Sequence, residues 1–193
     1  MDAGEDGQVR RGAAQRFVIV GATGSGKSTL AASLAARLNL AHVELDALHW
    51  EANWTMAELA TFRGRAECNV AQDRWVIDGN YPKVRDLVWD RAEVLVWLDF
   101  PFPLTFGRLL CRTIWRIGAR LELWNGNREN FATQFLSRNS ILLWAAQSRS
   151  LFRATYPTLI ASQRFTHLAV VRLRSPRETA AWLVGLSTET EQL

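Results

Sequence analysis

The chain has 193 residues, 48% hydrophobic and 22% charged, enough to close one full core and to exclude global disorder. Its two cysteines, Cys68 and Cys111, have neither disulfide-framework nor zinc spacing, and its histidines (His42, His49, His167) are scattered, which excludes a disulfide scaffold and argues against a metal cage of side chains. The net charge of +4 is carried almost wholly by arginine and suits phosphate-bearing ligands, with nucleic acid as the weaker alternative.

Residues 1–15 lack apolar periodicity and read as a flexible tail without the basic-then-apolar order of a signal peptide. The most apolar stretch, "VLVWLDFPFPLTF", is broken by Asp99, Pro101 and Pro103, so no membrane span is expected and the protein reads as soluble and cytoplasmic. "RFVIVG" (16–21) is a buried strand ending in glycine, and "KSTLAASLAARL" continues as a helix with Leu30, Leu34 and Leu38 at i, i+4 spacing. "HVEL" (42–45) is a second strand, and 54–71 reads as helical. "RWVID" (74–78) and "EVLVWLD" (93–99) are the third and fourth strands. A helical zone from 103 to 155 is interrupted near "WNGNRE", where Asn127 or Asn130 is a cap for the next helix. "HLAVVRL" (167–173) is the fifth strand. The closing helix "SPRETAAWLVGL" takes Ser175 as N-cap and Pro176 at its first position.

Strands separated by helical segments predict parallel βαβ units with both faces covered. "DGN" (78–80) between apolar residues could be a hairpin turn. The Pro82-initiated helical segment that follows, however, has the length of a crossover, which disfavours a returning strand.

"GATGSGKST" (21–29) matches G-x-x-x-x-G-K-[ST] between a predicted strand and a predicted helix. Gly21, Gly24 and Gly26 let successive N–H groups turn inward and phosphate come close, with Ser25 and Thr29 completing the loop. Lys27 is a point charge for the β- and γ-phosphates. Ser28 offers a hydroxyl to Mg²⁺, and the helix N-terminus adds positive potential.

With "LDALHW" (45–50), "WVIDGNY" (75–81), "WLDFP" (97–101) and "LWNGNRE" (123–129) beside this loop, the chain resembles the adenylate-kinase-like P-loop proteins labelled DNA topology modulation proteins. The resemblance covers nearly all the chain after the tail. It implies a three-layer α/β fold with five parallel strands in the order 2-3-1-4-5, a single kinase-like domain over 16–193, a substrate lobe (46–72) and a helical lid (116–131). It also implies ATP and Mg²⁺ as cofactors.

Two strands end in aspartate. The resemblance favours Asp78, in the "D-G" pair after strand 3, as the magnesium-side carboxylate, with Asp99 as the alternative. Arg108, Arg112, Arg116 and Arg120 recur every four residues and form one helical stripe, with Leu110, Ile114, Ile117 and Leu121 expected on the opposite, core-facing side. The resemblance places Arg108 and Arg112 at the nucleotide, Arg128 on the lid, and Arg174 and Pro176 beside the base. Asp46, at a strand end facing the ligand crevice, is the candidate for orienting or deprotonating an acceptor hydroxyl. His49, Trp50, Asn80 and Arg85 are candidates for the acceptor pocket. In nucleoside monophosphate kinases the "D-G" pair is followed by aromatic-Pro-Arg, whereas here Asn80 and Tyr81 precede Pro82, so that acceptor is disfavoured. The leading expectation is phosphoryl transfer from ATP to a small acceptor; the rival is a nucleotide-regulated binding protein, DNA-associated, in which the arginine stripe tracks a phosphate backbone.

Overall fold

The computed structural model describes residues 14–131 and 140–190. Five strands form one parallel sheet: β1 (Arg16–Gly21), β2 (Ala41–Glu44), β3 (Trp75–Asp78), β4 (Val94–Leu98) and β5 (Ala169–Leu173), in the order β2-β3-β1-β4-β5. β3 runs parallel to both β1 and β2, pairing Asp78 with Ile19 and Glu44, so "DGN" ends a strand and opens a crossover.

The helices are α1 (Lys27–Leu38), α2 (Leu45–His49), α3 (Leu59–Val70), α4 (Arg85–Arg91), α5 (Phe102–Gly118), α6 (Ile141–Ile160) and α7 (Pro176–Thr190). Period-two alternation along β1 sends Phe17 and Ile19 toward α1 and α7, where they pack with Leu30, Leu34 and Trp182. Val18 and Val20 face the other way, against Phe62 of α3, Trp89 of α4 and Tyr156 of α6. The sheet is thus covered on both faces. Each fully buried aliphatic side chain in these two clusters contributes about 1.5–3 kcal/mol.

Several expectations shift. The second strand ends at Glu44, and Leu45 and Asp46 already belong to α2. The helix expected from residue 54 starts at Leu59, after a short 3-10 turn at Ala52–Trp54. Ser175 does cap α7, accepting the Glu178 N–H at 3.2 Å while Glu178 takes the Arg174 N–H at 2.8 Å. The apolar side of α5 is corrected outright: Thr105, Leu109 and Thr113 are its buried residues, whereas Ile114 is 55% exposed. The reason is a contact the pattern cannot show. A side chain at Gly24 would meet the Thr105 carbonyl at 2.2 Å and the Leu109 Cβ at 3.0 Å, so α5 lies directly on the phosphate loop through that face. At about 100° per residue, the arginine stripe flanks this contact instead of opposing the core.

Candidate active site

The loop between β1 and α1 has the backbone its glycines permit. Gly24 and Gly26 take positive φ of 82° and 93°, and Gly26 closes the turn as the left-handed N-cap of α1. Ser25 is buried under it, while Ser28 and Thr29 lie exposed on the first turn. The Lys27 ammonium folds back over the loop and donates to the carbonyls of Gly21 (3.1 Å) and Ala22 (3.3 Å). Burial lowers its pKa, against the pull of Asp78 and Asp46 and together with repulsion from Arg112.

Asp78 is buried at 4% exposure, and both its oxygens are held. The Ser28 hydroxyl donates to Oδ2 at 2.7 Å, and His42 Nε2 meets Oδ1 at 2.9 Å. That hydrogen bond raises the His42 pKa. Hydroxyl and carboxylate oxygens in contact are the hard donors that Mg²⁺ prefers, and an ion held mainly by nucleotide phosphates and water needs no more from the protein. Among the described residues no group of three or more His, Cys, Asp or Glu side chains could hold a metal alone. Asp99, the alternative carboxylate, is committed elsewhere: Arg153 Nε binds its Oδ1 at 3.0 Å and Arg172 binds Oδ2 at 3.1 and 2.5 Å.

Asn80 was expected in an acceptor pocket, but its amide is spent on the phosphate loop. Oδ1 accepts the Gly21 N–H at 3.2 Å, Nδ2 donates to the Gly21 carbonyl at 2.5 Å, and the Tyr156 hydroxyl donates to the same Oδ1 at 2.9 Å. Its neighbour Tyr81 turns to Asp46 instead, donating to Oδ1 at 2.5 Å. Burial and the Asp46 charge push the Tyr81 phenol far above its usual pKa, so it stays a donor at neutral pH. His49 is buried among Trp50, Phe62 and Tyr81, with ring centroids 4.7–4.9 Å away, and burial lowers its pKa. Its ring forms part of this aromatic cluster. Trp50 packs edge-on to Trp54, and Arg85 lies 5.3 Å from the Trp89 ring.

The arginine stripe divides by environment. Arg108 is exposed, its guanidinium 5.9 Å from the Phe100 ring. Arg112 is partly buried, its Nε has no hydrogen-bond partner among the described residues, and burial followed by repulsion from Arg116 lowers its pKa. Arg116 is tied to the buried Glu129 at 3.1 Å. Arg120 lies past the end of α5, in a left-handed conformation. Four equivalent cations along one solvated face are therefore not what the fold provides.

The segment 121–130 packs on the turn at Ala52–Trp54. Asn127, expected as a helix cap, is buried at 3% exposure: it accepts the Trp54 N–H at 2.7 Å and donates to the carbonyls of Glu51 and Trp124 at 2.8 Å. Trp54 Nε1 donates to the Arg128 carbonyl at 3.1 Å, Asn125 bonds the Trp50 carbonyl, and Trp124 Nε1 donates to Glu44 at 3.2 Å. The Arg128 side chain is exposed and paired with Glu122 at 3.4 Å. Arg174 is exposed and Pro176 half-buried, both at the carboxyl end of β5.

Sequence reasoning missed His42, Tyr81, Tyr156 and Glu129. Only His42 left a signal. On β2 it shares a face with Glu44, whose strand partner is Asp78, so alternation places all three on one side of the sheet.

No protein-family model and no curated protein matches the sequence. Solved structures do. The shikimate kinase of Acinetobacter baumannii, determined in complex with shikimate, aligns with a TM-score of 0.53 at 13% identity over 94% of this chain and 97% of that one. The shikimate kinase of Bacteroides thetaiotaomicron aligns with a TM-score of 0.52 at 15% identity, covering 93% and 99%. At these identities the likeness establishes a P-loop kinase fold; the narrower likeness to DNA topology modulation proteins rests on the sequence motifs alone.

Proposed function

We propose that the protein is an ATP- and Mg²⁺-dependent kinase that transfers the γ-phosphoryl group to a hydroxyl of a small acceptor. The observation that carries this reading is the phosphate-type loop with the Lys27 ammonium folded over it and the Ser28 hydroxyl donating to the buried Asp78 at 2.7 Å. A phosphate-binding cation, a magnesium-side carboxylate, an acceptor-side carboxylate and a second cation then share one crevice at the carboxyl edge of the sheet.

In this reading the loop amides and Lys27 hold the nucleotide phosphates. Ser28 and Asp78 would hold the metal, which neutralises charge on the phosphate oxygens when bound. Asp46, oriented by the Tyr81 hydroxyl, keeps Oδ2 for the acceptor and takes the hydroxyl proton as the new P–O bond forms and the bond to ADP breaks. Arg112, whose buried Nε has no partner among the described residues, stabilises the charge spreading over the transferred group. The docked segment 121–130 roofs the acceptor side and excludes water. A DNA-tracking stripe is less well supported, because Arg116 is consumed by Glu129 and Arg112 is partly buried.

The test is a screen of small acceptors, sugar acids and nucleoside monophosphates included, for ATP-dependent phosphorylation. Lys27→Ala and Asp78→Ala should abolish turnover. Asp46→Asn should lower kcat roughly 10²- to 10⁴-fold with ATP affinity retained. Undiminished turnover in Lys27→Ala or Asp78→Ala refutes the assignment.

A further inference from the structure

The solvent-facing side of α5 is largely apolar. At about 100° per residue, Arg108, Cys111, Ile114, Trp115 and Gly118 fall within one arc of about 120°. All five are exposed, Ile114 at 55% and Trp115 at 63%. α6 packs against α5, and its Arg153 meets Asp99 just before α5 begins. At about 1.5 Å per residue from that junction, Ile114 lies about 18 Å along α5 and Leu143 about 15 Å along α6. The first turn of α6 thus brings Leu143 and Trp144, 41% and 47% exposed, to the same end of the helix pair. Large apolar side chains gathered in water at one end of a lobe mark a surface that meets a partner.

The charges say which partner. Every charged residue of α5 and α6 is an arginine; neither helix contains an aspartate or glutamate. Arg108 lies two turns from Trp115 on the same side, and the exposed Arg120 follows the helix end. Between the helices, Glu122 and Glu129 are each paired with an arginine. Indole and branched aliphatic groups flanked by arginines match the layer where anionic headgroups meet acyl chains. A second copy seated by a two-fold contact would set these arginines against their own counterparts. Nucleic acid would stack on Trp115 but has no use for Ile114 and Leu143.

We propose that the outer face of α5 docks on an anionic lipid surface. The contact is peripheral, since no helix among the described residues is long and apolar enough to cross a membrane. Trp115 and Ile114 enter the interfacial layer, while Arg108 and Arg120 face lipid phosphates. The inference goes beyond the kinase reading and stands whether or not that reading is correct.

The experiment is co-sedimentation of the full chain with vesicles of mixed phosphatidylglycerol and phosphatidylcholine, and with vesicles of phosphatidylcholine alone. Binding should require the anionic lipid and weaken with added salt. It should fall about tenfold or more in Trp115→Ser, the loss expected when one large apolar side chain leaves the interface. Arg120→Gln should weaken it about fivefold, as one cation fewer at the charged surface implies. If Trp115→Ser lowers the Tm, Ile114→Ser carries the same test. No sedimentation with the anionic vesicles, equal sedimentation with the neutral ones, or parental binding by the folded variants overturns the proposal. So does a dimer that Trp115→Ser dissociates, which would make the face a contact between copies. Binding of a single-stranded oligonucleotide that Trp115→Ser abolishes would overturn it too, making the face a nucleic-acid surface.

Discussion

Asn80 grips Gly21 by both its backbone polar groups, taking the N–H at 3.2 Å and giving an amide hydrogen to the carbonyl at 2.5 Å, across 59 residues of sequence. The end of β3 is thereby stitched to the start of the phosphate loop. Lys27 uses the same Gly21 carbonyl, so the carbonyl's position sets where the ammonium sits.

Replacing Asn80 by Ala should leave the Gly21 N–H without its acceptor and the Gly21 carbonyl with Lys27 alone, and lower stability by about 1–3 kcal/mol. Nucleotide affinity should fall with it. Urea unfolding and ADP titration measure the two effects. An Asn80→Ala protein with the parental midpoint and affinity would show that the loop holds its shape without this residue.

Gly24→Ala is expected to damage the loop more than any other glycine replacement in it. The new Cβ would stand 2.2 Å from the Thr105 carbonyl, at a φ of 82° that costs a non-glycine residue about 1–2 kcal/mol before the overlap is counted. Moving α5 to relieve the clash adds about 1–3 kcal/mol. Thermal melts should show a lower Tm for Gly24→Ala than for Gly26→Ala, where no atom lies within 4 Å of the added carbon.

Asn127 joins the segment 121–130 to the turn at Glu51–Trp54 by bonds in both directions. Asn127→Ala should release that segment while leaving the sheet intact. Hydrogen exchange of the Trp54 amide should speed up by about tenfold or more, as expected for a buried bond worth over 1 kcal/mol. If the segment excludes water from the crevice, ATP hydrolysis should rise relative to acceptor phosphorylation.

The pair Arg63–Asp86 ties α3 to α4 through two parallel bonds of 2.9 and 2.6 Å, and the Asp86 pKa is lowered chiefly by that arginine. A carboxylate whose folded pKa is depressed contributes stability above its unfolded value near 4, which is lost as pH falls through the folded value. Both side chains are more than a third exposed, so solvent screening keeps the contribution small. Asp86→Asn should therefore narrow the Tm difference between pH 6 and pH 3, with little change in the shape of the alkaline limb.

The strands, the phosphate loop and the parallel alternation were legible from residue pattern, because apolar runs, glycine spacing and strand-to-helix order are local properties. The sheet order came from the family resemblance, and the structure has it. Asp78 and Asp99 look alike in sequence, each closing an apolar strand. Tertiary structure separates them: α1 presents Ser28 to Asp78, while α6 and β5 bring Arg153 and Arg172 to Asp99. The same holds for the arginine stripe, whose even spacing gives no hint that Glu129 neutralises one member and burial alters another. The role of Asn80 was equally out of reach, since its partners are 59 and 76 residues away. What the sequence determined was which residue types stand at the ends of the strands. Which of them meet, and so which are chemistry and which are struts, was decided by packing, because hydrogen bonds and charge pairs act over a few ångströms in space, with no regard to distance along the chain.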